Sequence, residues 1–274
     1  MRTMTLQHAA IVSAVFIGLY LLVAYLILPA TWQRYEREPG VAKKPMVTVT
    51  GAGIPGDPIN VGVTGNRTDV VRAFHVAGWY PADPITLRSS AEIVGSVVLD
   101  RPYRDAPVSP LYFDGRREDF AFEKPDGNSA RRRQHVRLWQ ALSDGADGRP
   151  VWLGAASFDR SVGFSHDTGQ ITHHIAPDVD DARERVIGDL NATRMIRRIE
   201  QWPGVGPTLN GRNGGGDPYH TDGEIWAATL TADGEPQAGP AQTITPPLLI
   251  QAKDALWPQI VAAVHGAEKV APRQ

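Results

Sequence analysis

The sequence predicts an α+β domain with a single mixed sheet, carried behind one N-terminal transmembrane helix. Three observations lead there: one long charge-free apolar run, short alternating segments separated by turn residues, and four helical patterns spread among them. With 274 residues, 42 % of them hydrophobic and 21 % charged, the chain can bury a sizeable core. A net charge of −2 lacks the basic excess of a nucleic-acid binder, so no nucleic-acid partner is expected. The absence of cysteine excludes disulfides, thiolate catalysis and cysteine-ligated zinc.

From Thr3 to Gln33 there is no Asp, Glu, Lys or Arg, and Ala9 to Ala30 is almost wholly apolar. About 20 residues at 1.5 Å rise cross the hydrocarbon core, and a helix satisfies its own backbone there. Trp32 and Tyr35 follow, where amphipathic rings favour the headgroup zone. A cleaved signal would have an apolar core of about 7–15 residues and a small-x-small site. Leu28 fills the first small position of the site ending at Ala30, which favours an uncleaved signal-anchor. Arg34, Arg37, Lys43 and Lys44 outweigh Arg2 and favour a cytoplasmic domain by the positive-inside count, whereas a short leading segment with one Arg suits an exported one. The side stays open.

The expected division is an anchor over 1–33, a Pro/Gly-rich tether over 34–56, the α+β domain over 57–266 and a tail over 267–274. Within the domain, Ile59–Val63 reads as a strand. Asp69–Ala77 reads as a helix, with Val70, Val71, Phe74 and Ala77 on one face and Gly78 ending it. Ala91–Leu99 is a second helical pattern. Leu111–Phe113 and Asp119–Phe122 flank Asp114-Gly115, a hairpin dipeptide. His135–Leu142 and Val151–Phe158 suggest another hairpin. Pro177 opens a helix to Leu190, and Arg194–Ile199 and Glu224–Leu230 are strand patterns. Pro203–Pro218 reads as the loosest stretch, and Ala255–Val264 as a closing amphipathic helix.

The stretch FSHDTGQITHHIAPDVDDARER gathers His166, His173, His174 and Asp178, which suit a divalent metal if brought together. Period two sends His173 and His174 to opposite faces, so one of them, with His166 and Asp178, would make the set. His166, His174, Asp178, His220 and Asp222 are the catalytic candidates. Carboxylates in a first helical turn are also favoured by the macrodipole without any metal. Arg131, Arg132, Arg133 and His135 form the second cluster, able to grip an oxyanion such as an anionic headgroup, or simply to enter a strand solvated.

Read in order, PINVGVTGNRTDVVRAFHVAGWYPADPITLRSS, RPYRDAPVSPLYFDGRREDFAFEKP, RRRQHVRLW, PVWLGAASFDRSVGF and ITHHIAPDVDDARERVIGDL resemble the LssY C-terminal domain family of bacterial proteins. The resemblance runs from about Asp57 to Asp222. It implies a membrane-associated role at the bacterial envelope, since such domains accompany phosphatidic-acid-phosphatase-like or DedA-like membrane segments. This chain lacks the multi-pass phosphatase portion, and the resemblance assigns no catalytic residue. The expectation is a single-pass protein of the bacterial cell membrane with an accessory or binding role, its partner an anionic lipid or an envelope protein. The alternative is a metal-dependent hydrolase acting on a phosphate- or lipid-containing envelope substrate.

Overall fold

A computed structural model describes residues 6–35, 38, 40–82, 111–126, 129–164, 169 and 171–270. The helical pattern at Ala91–Leu99 lies outside them. The apolar run is one continuous helix, α1, made of Leu6–Leu22, a π-helical stretch Val23–Ile27, and Leu28–Tyr35. Its apolar part, Gln7–Tyr35, has 29 residues, or about 44 Å at 1.5 Å each. That is long and apolar enough to cross a membrane.

The strands are β1 (Val47–Thr50), β2 (Pro55–Pro58), β3 (Val61–Thr64), β4 (Tyr80–Pro81), β5 (Leu111–Phe113), β6 (Arg116–Arg117), β7 (Phe120–Asp126), β8 (Ser129–Leu142), β9 (Val151–Phe164), β10 (Ile171–Ile175), β11 (Ile196–Pro203), β12 (Thr208–Arg212), β13 (Pro218–Thr221), β14 (Glu224–Leu230) and β15 (Gln242–Thr243). The helices of the domain are α2 (Arg67–Val76), α3 (Val179–Ala192) and α4 (Leu248–Val270). The large sheet runs β15-β11-β14-β3-β9-β8-β7-β4, with β10 added on β9. It is mixed, because β3 is parallel to β14 and antiparallel to β9. A smaller sheet, β2-β1-β5-β6, covers part of one face. The α+β class with one apolar N-terminal helix is thus the architecture found.

Alternation along β8 and β9 builds two cores. Val136, Leu138, Trp152 and Ala156 point to the face covered by α2 and α3, where Phe74 stacks on Phe122 at 4.4 Å. Trp139, Leu153 and Ala155 point the other way, onto Leu111 and Phe113 of the small sheet. Gly62 of β3 leaves room for Trp202, whose ring would lie 2.6 Å from a Cβ there.

Four expectations are corrected. The stretch read as a tether contributes β1 and β2, and Val41 is fully buried, because Val47–Thr50 pairs with both β2 and β5. The Asp114-Gly115 turn, with φ of 50° and 75°, joins β5 to β6 rather than to residues 119–122. Phe120 and Phe122 are drawn instead into the helix-side core beside Trp152 and Phe74. The glycine-rich stretch contains β12, paired with β13 around a turn that Asn213 organises by accepting the N–H groups of Gly215 and Asp217. Finally, α4 starts seven residues before Ala255 and holds Pro258 in its interior. Buried Ile250, with Lys253 and Asp254 bonded to the domain, secures the turns ahead of that proline.

Candidate functional site

The site is organised by how α3 is fastened to the sheet. Asn60, buried between β2 and β3, donates to the carbonyls of Ala156 (3.0 Å) and Val179 (3.1 Å) and accepts the N–H of Ala156 (2.8 Å). It pins the first turn of α3 against β9. Asp178 is the N-cap, accepting the N–H groups of Asp180 (3.1 Å) and Asp181 (3.3 Å). Asp180 turns inward and accepts the Thr221 hydroxyl (2.6 Å) and the Asp222 N–H (2.7 Å). Burial pushes its carboxyl up to about 6, against the pull of Arg183. Arg183, also buried, donates to both oxygens of Asp222 at 2.7 and 2.9 Å and lies 3.2 Å from Asp180. Although burial acts the other way, those two bonds hold Asp222 below its ordinary value.

Between α3 and the ends of β7 to β9 lies an open groove of about 670 Å³. Phe158 forms part of its lining, with the Arg132 guanidinium 5.6 Å above the ring. Asp126, Asp178, Asp181, Glu184 and Asp189 line it as well, against Arg132 and Arg185. Arg132 is matched by Asp126 (2.8 Å), and Asp189 by Lys124 (2.9 Å). Asp181 and Glu184 both sit above their ordinary values. Partial burial is the main cause in each, and Asp178 adds to it by like-charge repulsion.

The predicted residues divide among three places. Asp178 and Arg132 line the groove. His220 stands behind it, with Nε2 3.4 Å from Asp178 Oδ2 and its ring 4.9 Å from that of His265. His174 belongs elsewhere: its Nδ1 lies 2.7 Å from Asp217 Oδ1, and Asp217 Oδ2 accepts the N–H of Ile175 (3.1 Å). Arg133 and His135 share one face of β8 and meet Asp159 of β9 at 3.7 and 2.8 Å, while Arg133 also reaches Glu123 (2.8 Å). Arg137 continues that row to buried Asp57 (3.8 Å), whose carboxyl burial pushes upward. His166 lies outside the described residues, as do the side chains of Arg131 and His173. Among the described residues, no three His, Asp or Glu side chains converge as a metal site requires.

Sequence reasoning missed Asn60, Arg183, Asp159 and Asp217. A lone Asn in an apolar-flanked strand entry, and an Arg on the apolar side of a helical stripe, were the available signals for the first two. Nothing local marked Asp159 or Asp217, whose partners come from other strands.

The groove and its supports fall inside one recognised unit. No curated protein and no solved structure matches the chain. The family described as LssY C-terminus matches residues 41–225, which takes in β1 and β2, the groove, and the Arg183–Asp222 pair. The chain therefore belongs to the LssY C-terminus family.

Proposed function

We propose that the chain is a membrane-tethered binding domain, in an accessory role at a bacterial envelope membrane, whose groove takes a cationic group presented at the bilayer surface. The observation that carries this reading is the groove wall, where five carboxylates face two guanidiniums. Asp181 and Glu184 are held above their ordinary values mainly by partial burial, with like charge from Asp178 added, and a bound cation offsets both influences. Arg132 and Arg133, expected from sequence to grip an oxyanion, each have a carboxylate beside them, which moves the preference toward a positive ligand. The ammonium of a zwitterionic headgroup fits, with Arg185 placed for its phosphate. The anchor supplies the location: α1 holds the domain where such headgroups are abundant.

Titration calorimetry on the full chain in detergent tests this, with ethanolamine, phosphoethanolamine and inorganic phosphate as probes. Both amines should bind saturably, and Asp181→Asn combined with Glu184→Gln should weaken them by about tenfold or more. Binding of phosphate without binding of ethanolamine would overturn the reading in favour of the anionic headgroup expected from the arginine run.

A second reading, the metal-dependent hydrolase, is favoured by one contact, Asp178 on the groove wall beside His220. Elemental analysis of the full chain, purified without a metal-binding tag, separates the two. The binding reading expects no stoichiometric metal. Zinc, manganese or iron near one per chain, lost in His220→Ala, would promote the hydrolase, with the metal activating water.

A further inference from the structure

The charge distribution on α4 is inverted for a surface helix of a water-soluble domain. Its charged residues in the first two turns point inward: Lys253 Nζ is 2.5 Å from Glu224 of β14, and Asp254 accepts from the Gln201 side chain of β11 at 3.2 Å. Leu248, Leu249, Ala255, Leu256, Gln259 and Ile260 point outward, on one side of the helix. Leu248 is 82 %, Leu256 53 % and Ile260 44 % exposed. No charged residue interrupts that face from Leu248 to Ala263, a length of about 22 Å. Scattered exposed leucines are ordinary, but an uncharged, largely apolar face with the neighbouring charges turned inward marks a contact surface.

The end of α1 says what covers it. The Tyr35 hydroxyl donates to the carbonyl of Ile244 at 3.2 Å, four residues ahead of α4. Tyr35 packs edge-on against Trp32 at 5.8 Å, an aromatic pair at the headgroup end of the apolar helix. The start of α4 is thereby tied to the point where α1 leaves the hydrocarbon. We infer that α4 is an interfacial helix, lying in the plane of the bilayer with its Leu/Ile/Ala face sunk among the acyl chains and its inward side bonded to the sheet. This rests on α1 crossing the same membrane.

The chain has no cysteine, so single-cysteine variants report without background. Leu256→Cys, Ile260→Cys and, within α1, Phe16→Cys would each be labelled with nitrobenzoxadiazole. The full chain is then reconstituted in phosphatidylcholine–phosphatidylglycerol vesicles. All three substituted side chains are exposed, so the fold tolerates the changes. Labels at positions 256 and 260 should be quenched by doxyl-bearing lipid nearly as strongly as the label at 16, and shielded from aqueous iodide. Quenching by iodide at 256 and 260, with lipid quenching kept at 16, would overturn the interfacial helix and leave the anchor standing. Shielding from both quenchers would equally overturn it, by showing a protein surface or a second copy on that face. Iodide quenching at 16 would remove the anchor as well.

Discussion

Asp222→Ala is expected to lower the stability of the domain by about 3–5 kcal/mol, measured by urea unfolding of the full chain in detergent. Arg183 is 1 % exposed at its side chain, and Asp222 is the residue that neutralises it with two parallel bonds. Removing the carboxylate leaves the buried guanidinium with Asp180, the Glu224 carbonyl and the more distant, exposed Glu184 carboxylate at 3.8 Å, none of which replaces the two parallel bonds. The Glu224 N–H, which Asp222 accepts at 2.9 Å, loses its partner too. Adding Arg183→Met to Asp222→Ala should recover much of the loss, because it removes the stranded charge and keeps the volume beside Trp226, which the guanidinium overlies at 5.5 Å. A single variant as stable as the parent would show that the pair is not what fastens α3 to β14. Asp222 stood among the catalytic candidates; in the fold both of its oxygens are engaged by Arg183.

Glu224 should give the protein an inverted pH dependence. It is buried beside Lys253 of α4, with Asp254 and Asp222 nearby, and burial is the largest influence, pushing its carboxyl up to about 8 despite the ammonium. The folded value lies above the ordinary 4.5, so the folded chain keeps a proton that the unfolded chain has lost. Stability must then fall as pH rises from about 5 to 8, the reverse of a carboxylate whose value is depressed. Asp180, held at about 6, pulls the same way over the lower part of that window. Lys253, which burial alone would lower but Glu224 and Asp254 together raise, contributes below its ordinary 10.5 and loses that contribution only on passing its folded value. Unfolding curves at pH 5 and pH 8 should show the parent losing stability across the interval and Glu224→Gln losing much less. An identical slope in the variant would assign the dependence elsewhere.

What the sequence made legible follows from the range of the interactions. The α1 run, α2 with its Gly78 stop, the β8–β9 hairpin and the strand Glu224–Leu230 rest on local periodicity, and each stands in the fold within a few residues. The small sheet was hidden because Val47–Thr50 and Leu111–Phe113 pair across about sixty residues, and Leu111–Phe113, though read as a strand, was given residues 119–122 as its partner. At the site, local reading picked out Asp178 at the start of the helix and His174 on the strand before it. It could not know that Asp180 reaches Thr221, that His174 meets Asp217, or that Arg132 lies over Phe158, since each pair is joined by tertiary packing alone. Long-range ion pairs carry no periodic signal.

The position of β3 between β9 and β14 sets the order in which the protein can be made. Val61 pairs with Gly154 on one side and with Trp226 on the other, so a strand emitted early from the ribosome waits for most of the chain before its second edge is closed. Closing so long a loop is entropically unfavourable until many contacts form together, which slows folding and leaves an edge exposed meanwhile. The α1 helix lies ahead of β3 in the chain and is complete before the sheet can close. Until β14 arrives, that open edge of β3 is the part of the growing chain most exposed to pairing with a neighbouring copy.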